Sequence, residues 1–229
     1  MGLGLALLTA AGKAPAAGRA VSFASSDGAT LAAQIYEAPS RPAPGVVLVH
    51  MLSRSRADWD ELAVQLEAAG ITVLAIDLRG HGGSGGSTSA PAEMAKDVRA
   101  AVQWLSARPA VRPDAIAVGG ASLGANLALL AAAEQPQIRA VVAVSPSLDY
   151  RGVRVGPDLM KKLGDKPVWL AASSEDPFAA RTIRELTADG AGARDQQLSP
   201  AVAHGTKLLA ADKALARALV DWLRQRLLS

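Results

Sequence analysis

Two kinds of segment alternate along the chain, and their alternation decides the fold class. Five short runs are almost wholly apolar: GVVLVH (45–50), ITVLAID (71–77), AIAVG (115–119), IRAVVAVSP (138–146) and KPVWLAAS (166–173). A strand with one wet face alternates polar and apolar residues, so a continuous apolar run marks a strand buried on both faces. The segments between them carry helical periodicity. ADWDELAVQLEAAG (57–70) closes on Gly70, and APAEMAKDVRAAVQWLSAR (90–108) has Pro91 early in it. ANLALLAAAE (125–134), DPFAARTIRELTADG (176–190) and TKLLAADKALARALVDWLRQRLL (206–228) read as three further helices. Buried strands separated by helices imply an α/β fold, a mostly parallel sheet of about eight strands with helices on both faces. RAVSFASSDGATLAAQIYEA predicts a hairpin over 20–24 and 30–37, turned at Asp27-Gly28, as the antiparallel edge. ARDQQLS (193–199) is a weaker strand candidate because it is polar.

Half of the 229 residues are hydrophobic, enough for a sizeable core without metals or disulfides. The chain has no Cys, which removes a disulfide framework, a thiolate metal site and a Cys nucleophile together. The net charge is +3, with Lys and Arg scattered among Asp and Glu. Arg217, Arg224 and Arg226 share the last helix with Asp212 and Asp221, which reads as a solvated face. With Phe, Trp and Tyr at 3%, base-stacking platforms are lacking too, so no nucleic-acid partner is expected. Residues 1–18, MGLGLALLTAAGKAPAAG, form a leader that resembles a signal peptide in its apolar stretch and its Ala-Pro-Ala. Its only Lys lies on the wrong side of that stretch, and the stretch is too short to span a bilayer. The reading favours a periplasmic or secreted protein over a cytoplasmic one, with residues 19–229 as a single domain.

In open parallel sheets the chemistry gathers beyond the carboxyl ends of the strands. Gly120-Ala121-Ser122-Leu123-Gly124 stands there, after an apolar strand and before a helix. A strand that turns at once into a helix forces its central residue into a strained conformation and its neighbours to be small. Gly120 and Gly124 meet that demand, and Ser122 is raised above the sheet as a candidate nucleophile. The helix start beneath it offers free N–H groups, that of Leu123 foremost, to an oxyanion. A Ser hydroxyl needs a base. Of the three His, His204 alone follows Ser122, which fits the chain order nucleophile, acid, base. The acid should follow a strand between them. Asp176 is preferred, with Glu175 as rival and Asp149 as a weaker one; Asp176 could also cap the helix that begins at Pro177. The loop after the first buried strand should supply a second oxyanion donor, the N–H of Leu52, with Met51 next in line. His50 and the run Asp77-Leu78-Arg79-Gly80-His81-Gly82 read as loop braces. A metal at His81 and Asp77 is unattractive, with no second His at ligand spacing in the sequence.

These motifs resemble the α/β-hydrolase superfamily: LVHML, DLRGHGGS, GGASLGAN and SEDPFA followed by AHGTKLL stand in its order. The resemblance runs from about residue 20 to the end and is nearest to the dienelactone-hydrolase-like and carboxylesterase branches. It implies a Ser122–His204–Asp176 triad, an oxyanion hole from the N–H groups of Leu52 and Leu123, and cleavage of carboxylic esters through an acyl-enzyme, without cofactor or metal. Met51 stands where relatives usually carry Gly, and Ser122 where dienelactone hydrolases proper carry Cys. The interval SPSLDYRGVRVGPDLMKKLGD (145–165) has room for a loop and one short helix over 158–163, so no cap domain is expected and the site should be open. An open site suits short-chain esters or the exposed ester of a polymer. Peptidase, thioesterase or acyltransferase activity on the same residues is the alternative, as is a hydrolase-like binding protein that does not turn over. The Gly-rich RGHGGSGGS lacks the G-x-G-x-x-G context of a nucleotide binder.

Overall fold

The computed structural model describes residues 18–88, 90–188 and 192–228; the leader apart from Gly18, and Gly190 at the end of its helix, lie outside the described residues. The hairpin is β1 (Arg19–Ala24) and β2 (Thr30–Tyr36), closed where the Gly28 N–H meets the Ser25 carbonyl. Then follow β3 (Ala43–Val49), α1 (Asp60–Ala68), β4 (Thr72–Ile76), α2 (Ala95–Ser106), β5 (Val111–Ala121), α3 (Leu123–Glu134) and β6 (Ile138–Val144). Single 3-10 turns lead into α1 and α2, the second carrying Pro91. A two-residue hairpin, β7 (Asp149–Tyr150) and β8 (Val153–Arg154), and the short α4 (Pro157–Leu163) come next. The chain ends with β9 (Val168–Ser173), α5 (Pro177–Thr187), β10 (Arg194–Ser199), α6 (Thr206–Ala211) and α7 (Lys213–Leu227).

The eight sheet strands run in the order β1-β2-β4-β3-β5-β6-β9-β10. Only β2 is antiparallel to its neighbours; every other pair that includes β3, β5, β6 or β9 is parallel. Every residue of β3, β4 and β9 is buried. One core cluster packs α2, α3, α4 and α5 against one face, and a second packs α1, α6 and α7 against the other. A fully buried Val, Leu or Ile contributes about 1.5–3 kcal/mol by leaving water, which is why the central strands tolerate so few polar residues.

The polar segment at 193–199 is a strand after all. As β10 it forms the sheet edge, where one side of the ribbon stays wet and polar residues are tolerated. The segment expected as one last helix is two. Asp212 leaves helical geometry at φ −113°, ψ 92°, and its carboxylate caps the Leu215 N–H at 2.9 Å. Between β6 and β9 the structure adds β7 and β8 to the expected short helix, and no cap domain.

Candidate active site

Ser122 joins β5 to α3 at φ 52°, ψ −118°, a region that L-residues rarely adopt. Close backbone approach on both sides imposes the bend. A Cβ on Gly120 would sit 2.0 Å from the Gly124 carbonyl oxygen, and one on Gly124 would sit 2.3 Å from that of Val49. Ser122 is 8% exposed, and its Oγ makes no hydrogen bond to any described residue. Its own N–H donates to the Val144 carbonyl at 2.9 Å, tying the bend to β6.

His204 lies on the loop between β10 and α6, with its side chain half exposed. Its Nδ1 meets Asp176 Oδ2 at 2.6 Å. The other carboxylate oxygen accepts the Ala179 N–H at 3.0 Å, so Asp176 caps α5 and orients the imidazole at once. Glu175 is exposed beside it, and Asp149 is occupied with Gly152 and Arg154 in the β7–β8 hairpin. Of the three acids weighed, Asp176 alone bonds the histidine. Gly205, the next residue, packs against the elbow: a Cβ there would lie 3.5 Å from that of Ala121. This brings the His204 loop against the elbow, although no hydrogen bond joins Ser122 Oγ and His204 in this conformation.

Leu52 and Leu123 are the two expected oxyanion donors. Leu123 opens α3, so its N–H has no acceptor within the helix. Leu52 is the second residue of a tight turn closed by the Arg54 N–H on the Met51 carbonyl, with Ser53 at φ 60°. The second amide of such a turn takes no part in closing it. Met51, in place of the usual Gly, packs its thioether against Gly205, where any side chain would strike Sδ at 2.1 Å.

The family model described as serine aminopeptidase, S33, matches residues 40–175. The chain belongs to this family of α/β hydrolases. The match spans the Leu52 loop and Ser122 and stops one residue before Asp176. The chain is 36% identical to the thiohydrolase apmlB of Arthrinium phaeospermum over 137 residues, which is 56% of this chain and 42% of that protein. It is 30% identical to the polyketide transferase ATR5 of Stachybotrys chlorohalonatus over 68% of this chain and 57% of that one. The matched region is therefore about half the length of these relatives. The Pyrococcus furiosus esterase Pf2001 shares the fold at a TM-score of 0.77 and 20% identity, over 92% of this chain and 93% of that one.

Two histidines brace the loops after β3 and β4. The His50 Nε2 accepts the Leu78 N–H at 3.0 Å, so its Nδ1 carries the proton and donates it to the Met51 carbonyl at 2.6 Å. The His81 Nε2 accepts the Ser53 N–H at 3.1 Å, and its Nδ1 faces the Arg79 carbonyl at 2.9 Å. Their rings lie 5.0 Å apart, a proximity the sequence spacing did not reveal. All four ring nitrogens are engaged by backbone, which leaves no lone pair for a metal. Burial pushes the His50 pKa down, in keeping with a neutral ring. Asp77 accepts from the Arg56 and Gly83 N–H groups and from the Arg56 guanidinium, and Arg79 pairs with Asp97 and Asp27. Sequence reasoning passed over Asn126. It is fully buried in α3, and its amide bonds Ser147 and the Val153 carbonyl, fixing the segment after β6. A lone amide in an otherwise apolar helix was the available signal.

Proposed function

We propose that this hydrolase cleaves carboxylic esters through a covalent acyl-enzyme, with Ser122 as nucleophile, His204 as base and Asp176 as orienting acid. The observation that carries the reading is the 2.6 Å Asp176–His204 bond on a loop packed against the elbow of a strained Ser122 whose Oγ is unbonded. His204 Nε2 takes the Oγ proton as Oγ attacks the acyl carbon. Asp176 holds Nδ1–H and stabilises the imidazolium. The developing oxyanion accepts the Leu123 and Leu52 N–H groups; loss of one such donor costs about 10²–10³ in rate. His204 then protonates the departing alcohol oxygen as the C–O bond breaks. Water, deprotonated by His204, releases the acid and regenerates Ser122. The Ser–His contact is commonly loose without substrate and tightens in the complex.

The absence of a cap layer between β6 and β9 among the described residues favours small or surface-exposed esters. A cleft of about 300 Å³ opens beside the base, lined by Ser173, Glu175, Asp176, Pro177, Val202, Ala203 and His204. Val202, on that lining, is 85% exposed, an apolar surface for the organic part of a substrate. The names of the relatives favour a second reading, thioester cleavage or acyl transfer on the same acyl-enzyme.

The test is a burst assay on p-nitrophenyl acetate, butyrate and decanoate with native protein, Ser122→Ala and His204→Ala. We expect turnover on the short chains and a fall of about 10³ or more in each variant. A native chain with neither burst nor turnover would instead mark a hydrolase-like binding protein. Turnover of an acyl thioester far above that of the matching ester, or capture of the acyl group by an added alcohol, selects the second reading.

A further inference from the structure

Ser145 follows the last residue of β6, between the strand that leads to Ser122 and the strand that leads to Asp176. It is 1% exposed and sits at φ 51°, a conformation disfavoured for Ser. Its N–H donates to the Ala171 carbonyl at 2.7 Å, and its Oγ accepts the Gly205 N–H at 2.9 Å. Gly205 is buried against Met51 and Ala121, so no water can replace that acceptor. His204 itself is half exposed, and Asp176 is its only hydrogen-bonded partner among the described residues. The peptide joining it to Gly205 is therefore its one buried tether. From Ser122 N–H to Val144, from Ser145 N–H to Ala171, and from Gly205 N–H to Ser145 Oγ, three bonds knit the nucleophile, the acid strand and the base loop together.

We propose that Ser145 is a positioning residue: through the Gly205 N–H it holds His204 where the imidazolium can reach the leaving-group oxygen. This rests on the serine-hydrolase reading above. The Ser145 Oγ touches no reacting atom. Its strained backbone presents Oγ to the Gly205 N–H.

Substitution separates position from stability. Ser145→Gly removes Oγ and relieves the positive φ; Ser145→Ala removes Oγ and keeps the strain. Both are compared with wild type on p-nitrophenyl butyrate and ethyl butyrate through kcat/KM, which reports acylation alone. p-Nitrophenoxide leaves without a proton, whereas ethoxide needs the one on His204. We expect Ser145→Gly to melt no lower than Ser145→Ala, and both to lose about tenfold or more on ethyl butyrate, with a clearly smaller loss on the activated ester. Equal losses on the two esters, or none in a folded Ser145→Gly, overturn the proposal and leave the serine-hydrolase reading intact. Wild type that hydrolyses neither ester and is not labelled by a fluorophosphonate overturns both.

Discussion

At Ser122 the fold holds a residue against its own preference. A non-Gly residue in such a region costs about 1–3 kcal/mol, and it persists because β5, α3 and the Val49 carbonyl leave the chain no other path. Gly adopts this geometry freely but adds roughly 0.4–1 kcal/mol of unfolded-state entropy. The larger number wins, so Ser122→Gly should raise the urea midpoint while abolishing turnover. A lowered midpoint would mean that the bend is not strained. Gly120 and Gly124 are different. Their place is fixed by carbonyl oxygens where a Cβ would lie, so even Ala there must push strand and helix apart.

At the scale of elements, the break at Asp212 separates a short helix after the His204 loop from the long helix that covers the sheet. Its carboxylate accepts the Leu215 N–H and the Ser199 hydroxyl, joining the end of β10 to the start of α7. Asp212→Ala should cost about 0.5–2 kcal/mol in urea unfolding and Asp212→Asn much less; equal stability of the Ala variant would mean the cap contributes nothing. The periodicity of 206–228 hid this break because the apolar stripe continues across it, and only the Asp hinted at a second start. Apolar runs made the central strands legible, since burial on both faces leaves one kind of sequence. β10 was faint because an edge strand answers to fewer neighbours. The bend at Ser122 and the meeting of Asp176 with His204 were legible for a different reason, a local strand-turn-helix motif and the order of residues along the chain. The His50–His81 pair, the Asn126 brace and the Ser145 anchor were not, because each joins residues far apart in sequence and none alters a local pattern.

For the whole molecule, His50 links stability to pH. Burial depresses its pKa from an ordinary 6.5, with the bond to the Met51 carbonyl opposing. Below that value the unfolded chain binds a proton that the folded chain refuses. The His50 contribution is therefore complete above about pH 6.5 and declines as the pH falls below it. Thermal midpoints from pH 8 to pH 5 should drop over the lower half of that range, and the His50 ring should stay neutral by NMR below pH 6.5. A flat profile with His50 protonating normally would refute this. At lower pH Asp27, pushed down to about 2 by its bond to Arg79, keeps its charge and the link between the hairpin and the loop after β4.

The strand order divides the candidate site residues between two mechanical regimes. Ser122 and the Leu52 loop leave strands in the middle of the sheet, whereas Asp176 and His204 leave the last two, and β10 has a neighbour on one side only. Protein regions open with their own free energies, and edges open before centres. Fraying of β10 would free one end of the His204 loop while the inner strands stay paired and Ser145 still holds Gly205. On the proposed function, the edge then sets the barrier to losing activity, so heat would silence the molecule while its amides at the centre still resist hydrogen exchange.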